Sequence, residues 1–386
     1  MKTKDTKHYR VNWIDGMKIN KDHFIAMENS ILEMVKSSAQ KNISPISYGL
    51  LPQHIGLESS LDLVMSVDGQ STIEVVLNTC RAITLGGYQI DIAQDALGLL
   101  GGSEHILRQQ YVVNDDENEW YVVLAVDPFK RVEAGNSDAE EEPPRRPYVL
   151  SGYKLHILPK NETLDHEFGL HHITIGKIIL ENGKPAVAAD FIPPCRTIQS
   201  HPDLQFTYAE LGSFLNQMES YSLHIIQKIY QKKQTNDLAN IALYISEQVM
   251  RNLNANITEF RLVDRYGPPI GMITKLVSLG RVIKSSLDVF VGVGKENFLN
   301  YLTNWCDLNQ GAFENVLAET IELKYSHNDI NLSLEKVSSF TKLMLSLFKK
   351  LSELEYIGKK EDSGIFVKEE SVEHSEQKGR RSFLLD

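Results

Sequence analysis

Residues 120–126 read Trp-Tyr-Val-Val-Leu-Ala-Val, and this nearly continuous apolar run decides how the first half of the chain folds. A run of this length rich in β-branched and aromatic residues predicts a strand suited to the centre of a sandwich. Shorter runs on either side alternate apolar and polar positions, at Leu61, Leu63, Met65 and Val67 and again at Tyr153, Leu155 and Ile157. Many short strands at this spacing predict an antiparallel sandwich or barrel.

Two glycine-containing turns strengthen this interpretation. Gly86-Gly87 separates Ile83 and Leu85 from a second apolar run, and Asn182-Gly183 separates Ile173–Leu180 from Ala186–Ala188. Both pairs supply the positive φ angles that tight hairpin turns require, so each predicts a hairpin. One helix interrupts the strands: Asn20 is a suitable N-cap, and apolar residues recur after it at helical spacing, at Phe24, Met27, Ile31, Met34 and Val35.

The apolar period changes to that of helices near residue 200. Stripes with steps of three and four run through 211–229, 238–253, 273–290 and 334–354. This spacing favours near-parallel helix packing, as in bundles. We therefore predict an α+β protein: an antiparallel β-sandwich with one N-terminal helix over residues 1–200, an all-α helical bundle over 201–358, and a flexible tail over 359–386, where apolar residues are sparse.

Composition excludes several classes of function. The 386 residues include 40 Lys or Arg and 51 Asp or Glu, for a net charge of −11, which argues against binding nucleic acid or an anionic membrane surface. No apolar run reaches the roughly 18–20 residues that span a bilayer, so we expect no direct membrane insertion. No export signal follows Met1–Arg10, and three scattered cysteines, Cys80, Cys195 and Cys306, fit a reducing cytoplasm.

Motifs of catalysis are incomplete or missing, so we expect neither an enzyme nor a cofactor. Residues 292–295 read Gly-Val-Gly-Lys but lack the first glycine of a phosphate-binding loop, and Glu296 stands where Ser or Thr would hold Mg²⁺. His171 and His172 are adjacent on a predicted strand and point to opposite faces, so we expect no metal there. A long polar loop predicted over about 128–147 is read as a solvated insertion, and a cryptic enzymatic site in it stays an alternative.

Three segments together are similar to one protein family. Residues 13–24 read Trp-Ile-Asp-Gly-Met-Lys-Ile-Asn-Lys-Asp-His-Phe, residues 190–195 read Asp-Phe-Ile-Pro-Pro-Cys, and residues 325–330 read Tyr-Ser-His-Asn-Asp-Ile. The first resembles the opening of TssK, the baseplate component of bacterial type VI secretion systems, with Asp15 in place of the more usual Glu. The other two resemble the end of that family's sandwich and a Tyr-x-His-x-Asp-Leu motif late in its helical region.

The resemblance implies a structural task. TssK proteins resemble phage receptor-binding proteins, with a sandwich shoulder that docks onto the wedge proteins TssF and TssG, a helical neck that forms a homotrimer, and a head that faces TssL and TssM. After residue 330 this sequence has one long helix and the tail, so we expect the head to be missing or replaced, with an unidentified component of the cell envelope as the membrane-side partner. The implied location is the cytoplasm, at the inner face of the cytoplasmic membrane.

The expected contact residues lie near the two ends of the chain. Interface centres favour aromatic anchors, so we expect the wedge contact to include Trp13, Gly16, Met17, His23 and Phe24; plain core packing is the alternative for the two aromatic residues. We also expect a docking segment at Phe383, Leu384 and Leu385, with an inert tail as the alternative.

Two further expectations concern assembly and class. The helical stripe through Leu215, Ile225, Ile283 and Leu287 is expected to pack between protomers as well as within one. A phage tail receptor-binding protein with the same shoulder and neck is the alternative function.

Overall fold

The computed structural model describes residues 7–52, 59–68, 72–93, 107–112, 117–137, 140–160, 168–303 and 309–358. The chain divides into two compact units. The first contains the chain up to Pro202 together with a short later segment, His327–Asn331, and the second contains Asp203–Ser326 and the chain from Leu332 onward. The chain therefore returns to the first unit for five residues near its end. The predicted tail, including Phe383, Leu384 and Leu385, lies outside the described residues.

The first sheet is built around one long strand. Its strands are β1 (Gly49–Leu50), β2 (Leu61–Val67), β3 (Thr72–Ile83), β4 (Gln89–Ile92) and β5 (Leu107–Val112), and β3 pairs antiparallel with each of the others. The hairpin predicted at Gly86-Gly87 joins β3 to β4 and is confirmed. Gly87 has φ +81°, and a Cβ there would overlap the carbonyl oxygen of Lys36, so this position requires glycine.

The second sheet has the order β7-β6-β8-β9, with all neighbours antiparallel. Its strands are β6 (Glu119–Ala134), β7 (Tyr148–Pro159), β8 (His172–Glu181) and β9 (Lys184–Val187). The predicted hairpin at Asn182-Gly183 is confirmed, because both residues have positive φ and Glu181 pairs with Lys184.

Burial explains the apolar run at 120–126. Trp120, Val122 and Leu124 are buried on one face of β6, and Tyr121 and Val123 are buried on the other. The two sheets face each other, since β2 lies against β8 and β9, and β5 lies against β7. A central strand covered on both faces has no exposed polar positions, which is why the sequence alternation disappears there.

The prediction of a loop over residues 128–147 is partly wrong. Strand β6 continues to Ala134, and after an irregularity between Asp127 and Val132 it pairs again with β7, with Val132 opposite Leu150. The turn-forming residue Pro128 is tolerated because it lies inside this irregularity, where the regular ladder is interrupted. The connection between the two strands is therefore limited to residues 135–147.

The second unit is helical, and with the two sheets it confirms the predicted α+β class. Its helices are α2 (Pro202–Gln231), α3 (Asp237–Leu262), α4 (Ile270–Asp288), α5 (Lys295–Thr303), α6 (Gln310–Ile321) and α7 (Asn331–Glu353), of which α7 begins in the short segment of the first unit. Asn236 and Asn309 accept hydrogen bonds from Ala239 and Ala312 and cap α3 and α6.

The stripe expected to pack between protomers is buried inside a single chain, which corrects that expectation. Leu215, Ile225, Ile283 and Leu287 are all almost fully buried without a second copy. A Cβ on Gly280 would lie 3.4 Å from the Thr320 side chain and 3.6 Å from Phe340, which are ordinary contact distances, so the packing at this position does not require glycine. The sequence period identified the core of the bundle, and any contact between copies must use other residues.

Candidate functional site

Helix α1 (Lys21–Gln40) packs onto the first unit through a mixed face, on which the two most buried side chains, Ser30 and Lys36, are polar. Ser30 and Lys36 are only 4% and 8% exposed, whereas Phe24, Ile31 and Val35 are 50%, 48% and 62% exposed. Positions 24, 31 and 35 are seven and four residues apart, so the three side chains lie along one line of the helix. A surface helix normally turns its apolar stripe toward the core. The outward stripe of α1 is therefore a candidate protein-binding surface.

Specific contacts account for the burial of these two polar residues. The Lys36 ammonium pairs with Glu33 at 3.0 Å and lies 5.3 Å from the centre of the Phe129 ring, a cation–π geometry. Ser30 donates a hydrogen bond to the Met27 carbonyl oxygen at 2.8 Å. Since Gly87 fits against the Lys36 carbonyl, the helix approaches the β3–β4 turn closely. These contacts fix the rotation of α1 about its axis and leave the apolar stripe outward.

The chain before α1 extends the same apolar surface. Met17 donates a backbone hydrogen bond to Ile14 and closes a turn in which Gly16 has φ +77°. The turn places the Trp13 ring 6.0 Å from the His23 ring and 6.4 Å from the Phe24 ring. We name the exposed apolar residues of this segment and of α1 the N-terminal face: Tyr9, Trp13, Ile14, Ile19, Phe24, Ile31, Met34 and Val35.

The start of α1 is held by a reciprocal cap. Asn20 accepts hydrogen bonds from the backbone N–H groups of Asp22 and His23, and His23 Nδ1 accepts one from the Asn20 N–H at 3.2 Å. This satisfies donors that the first turn would otherwise leave without partners. His23 thus has a structural role at the position where the sequence suggested a contact residue, and it also supports the Trp13 ring.

The structure places the predicted N-terminal site residues in one region. Trp13 is 46% exposed and Phe24 is half exposed, so simple core packing does not describe either ring. Met17 is partly buried, and a Cβ on Gly16 would meet no atom within 4 Å. Sequence reasoning missed Ile31, Met34 and Val35 as surface residues. Their spacing was visible, but the side of α1 that faces the sheets depends on Phe129 and Gly87, which lie far away in sequence.

Two of the three segments that resemble the TssK family meet in the first unit. The Ile330 N–H donates to the Ile192 carbonyl oxygen at 3.1 Å, and Asn331 Nδ2 donates to Asp190 at 3.3 Å. The backbone at Gly49 completes the junction, because a Cβ there would overlap the Pro194 carbonyl. These segments therefore build the unit itself, whereas residues 13–24 contribute to its exposed surface.

A buried ion pair lies at this junction. Lys177 on β8 contacts Asp329 at 3.2 Å and Glu119 at 3.2 Å, and the Asp329 side chain is 3% exposed. Burial alone would lower the pKa of Lys177, but the Asp329 charge and the hydrogen bonds to both carboxylates outweigh it and raise that pKa. Burial, with the Asp329 charge second, raises the pKa of neighbouring Tyr121 to about 12. Lys177 therefore stays charged near neutral pH, and its contact with Asp329 is a structural one.

His327, two residues before Asp329 in sequence, is held in its neutral form. Its Nε2 lies 2.8 Å from the Tyr48 carbonyl oxygen, which can only accept, so Nε2 carries the proton. Burial lowers the pKa of His327 to about 4, and the hydrogen bond to Tyr48 opposes that shift only in part. In the described parts of the chain, no group of three or more His, Cys, Asp and Glu side chains is arranged to hold a metal ion. Nor does any described helix have the length and apolar content needed to cross a membrane.

The two sheets of the first unit and the helices of the second define a class of scaffold in which a β-sandwich is joined to a helical bundle. Within that class, the chain is similar to a crystal structure of TssK, with a TM-score of 0.50 at 15% identity over 90% of this chain and 70% of that one. This likeness shows the fold, and the TssK-like fold implied by the three segments is confirmed.

Other solved structures match with lower scores. One is described as the baseplate complex from the type VI secretion system, with a TM-score of 0.48 and 15% identity over 90% of this chain and 100% of that one. Another is a TssK-TssF-TssG baseplate subcomplex solved by cryo-electron microscopy, with a TM-score of 0.42 and 14% identity over 90% and 99%. No protein-family model and no curated protein matches the sequence.

Proposed function

We propose that this chain is a structural adaptor of a type VI secretion baseplate, without catalytic activity, and that it links a TssF/TssG wedge to the cell-envelope complex. Three observations support the proposal: the TssK-like fold, the order of the three sequence segments, and the outward apolar stripe of α1. The outward stripe of α1 is the strongest support for the adaptor proposal, because an adaptor needs a preformed surface for its partner. A large exposed apolar area on a protein surface is characteristic of such contacts.

We assign the wedge contact to the N-terminal face. Trp13 and Phe24 form an aromatic pair at one end of α1, and Ile31 and Val35 continue the apolar line toward the other end. Interfaces concentrate binding energy in a few aromatic anchors that are surrounded by water-excluding contacts. In this assignment Trp13 and Phe24 are the anchors, Gly16 and Met17 set the turn that presents Trp13, and His23 supports it from the helix cap.

We further propose that the protein acts as a homotrimer in the cytoplasm and is recruited to the inner face of the cytoplasmic membrane. Recruitment requires a second contact with an envelope component, and we assign it to the apolar residues Phe383, Leu384 and Leu385 at the end of the chain. A short apolar segment on a polar tether can order when it binds its partner.

The wedge contact is tested by co-purification with TssF and TssG. Trp13→Ala combined with Phe24→Ala is expected to weaken wedge binding about 30-fold or more, which corresponds to losing about 2 kcal/mol at an anchor. The matched control is Tyr148→Ala, which removes another exposed aromatic ring of the first unit. Unchanged binding by a folded double variant would exclude this surface, and equal losses in both variants would show that the effect is not specific to it.

A further inference from the structure

The helical unit fixes the path of the chain after its last helix. The Lys228 ammonium, near the end of α2, donates hydrogen bonds to the carbonyl oxygens of Leu351 at 3.0 Å and Ser352 at 2.5 Å, and also to that of Leu354. The last carbonyls of a helix lack intrahelical partners and carry partial negative charge. Lys228 therefore caps the C-terminal end of α7 from a neighbouring helix.

A second set of contacts holds the next few residues. The Ile357 N–H donates to Gln234 Oε1 at 3.0 Å, and its carbonyl oxygen accepts from Asn236 Nδ2 at 3.0 Å. Ile357 is fully buried, and Gly358 lies against Leu238 in the first turn of α3. Residues 359–386 thus begin at a defined point on the helical unit.

An exposed apolar loop lies close to that point. We name residues 289–293, between α4 and α5, the valine loop; Val289, Val291 and Val293 are each about 60% exposed or more. The loop is well held, because Val293 donates a hydrogen bond to the Phe290 carbonyl at 3.1 Å and the Phe290 ring packs edge-on against Tyr244 at 5.5 Å. Three valines are therefore presented to solvent by a firmly anchored backbone.

The valine loop and the start of the tail share the beginning of α3. Gly358 contacts Leu238, a Cβ on Gly294 would lie 3.2 Å from Ile241, and Phe290 contacts Tyr244. At 1.5 Å of rise per residue, these three positions on α3 span roughly 9 Å. The tail consequently starts within about two helical turns of the exposed valines.

We propose that the segment Ile365-Phe366-Val367 of the same chain docks onto the valine loop. It is an apolar island in a charged stretch, with Lys360, Glu361 and Asp362 before it. Six residues lie between Gly358 and Ile365, and the seven Cα-to-Cα steps of this tether reach up to about 23 Å. Such a short tether raises the effective concentration of the island at the loop to the millimolar range, so a weak contact suffices. The inference does not depend on the proposed function.

Amide hydrogen exchange of the full-length chain tests this docking. Replacing Ile365, Phe366 and Val367 with Ser is expected to lower the protection of the amides of residues 289–293 to the level that the loop's own backbone hydrogen bonds provide. The control replaces Phe383, Leu384 and Leu385 with Ser, which removes as many apolar residues further along the tail and is expected to leave the loop unchanged. Identical exchange of residues 289–293 in the parent chain and in the Ile365–Val367 variant would overturn the proposal.

The reciprocal variant guards against an indirect effect. Val291→Ser with Val293→Ser changes only exposed side chains, so the unit is expected to stay folded while the amides of 365–367 lose their protection. If the protection in the parent chain instead rises with protein concentration, the loop binds a second copy, and docking within one chain is excluded.

Discussion

Lys177 and Asp329 form a buried ion pair across 152 residues of sequence, with 3.2 Å between Nζ and Oδ2. The partner of a strand residue in the sandwich is thus supplied by the short segment between α6 and α7. The first unit is incomplete without residues 327–331, and its stability is expected to depend on them.

Asp329→Asn is therefore expected to destabilise the first unit by about 3 kcal/mol, because removing one member of a buried pair leaves the other charge poorly compensated. Glu119 remains 3.2 Å from Lys177 and limits the loss. Urea unfolding followed by tryptophan fluorescence measures it. The matched control is Glu355→Gln, which breaks the exposed pair with Lys232 and should cost less than about 1 kcal/mol. Equal losses in the two variants would contradict the role assigned to Asp329.

Stability is expected to decrease as the pH falls from about 6.5 toward 4, and His327 contributes a defined part of that decrease. Its folded-state pKa is about 4 against an ordinary value of 6.5, so the unfolded state binds the proton first as the pH falls. The difference corresponds to roughly 3 kcal/mol when both forms are protonated. His327→Gln removes this titration and should flatten the dependence of the unfolding free energy on pH between about 4 and 6.5. Parallel curves for the two proteins would show that His327 does not titrate this way.

Gly49→Ala should be among the most damaging small substitutions in the first unit. Gly49 has φ +111°, and a Cβ there would overlap the Pro194 carbonyl, which already accepts a hydrogen bond from Leu50 at 2.8 Å. We expect a loss of about 3 kcal/mol or more. Gly16→Ala is the comparison: its φ is also positive at +77°, but no atom lies within 4 Å, so only the backbone cost of about 1–2 kcal/mol remains. Thermal unfolding of both variants distinguishes steric overlap from backbone strain.

If the chain forms the proposed homotrimer, the contacts between copies are expected to involve exposed residues of α2, since the stripe identified from sequence is buried within one chain. Leu223 and Tyr230 are exposed and seven residues apart, which is the repeat of a coiled-coil seam. Light scattering of the purified protein should give about three times 43.7 kDa, and Leu223→Asp should reduce it toward a single chain. Leu262→Asp, at an exposed position on α3, should leave the mass unchanged. A parent protein that is monomeric at micromolar concentration would exclude the trimer.

Local sequence patterns were sufficient for much of the fold. Asn182-Gly183 and Gly86-Gly87 predicted their hairpins because turn geometry depends on a few adjacent residues. Asn20 predicted the start of α1 for the same reason. The extension of β6 beyond Pro128 was missed, because it depends on pairing with Leu150 on another strand. A proline normally ends a regular ladder, and only the partner strand reveals an irregularity that accommodates it.

The candidate site was harder to predict than the fold. The apolar spacing of Phe24, Ile31 and Val35 was evident, but spacing alone does not reveal which side of a helix meets the core. The inward side of α1 is determined by Phe129 and Gly87, which are distant in sequence. The role of residues 327–331 depends on Lys177 and Ile192 in the same way, so the sequence could suggest a motif there without indicating its partner.

The return of the chain to its first unit at His327–Asn331 has a consequence during synthesis. A ribosome releases the N-terminal domain first and adds about 5–20 residues per second. Strand β9 ends at Val187, so 329 − 187 = 142 further residues must be synthesised before Asp329 can reach Lys177. Synthesis of that stretch takes roughly ten seconds, during which the nascent sandwich lacks Asp329. An mRNA truncated before the codon of residue 327 yields a product that never contains the completing segment.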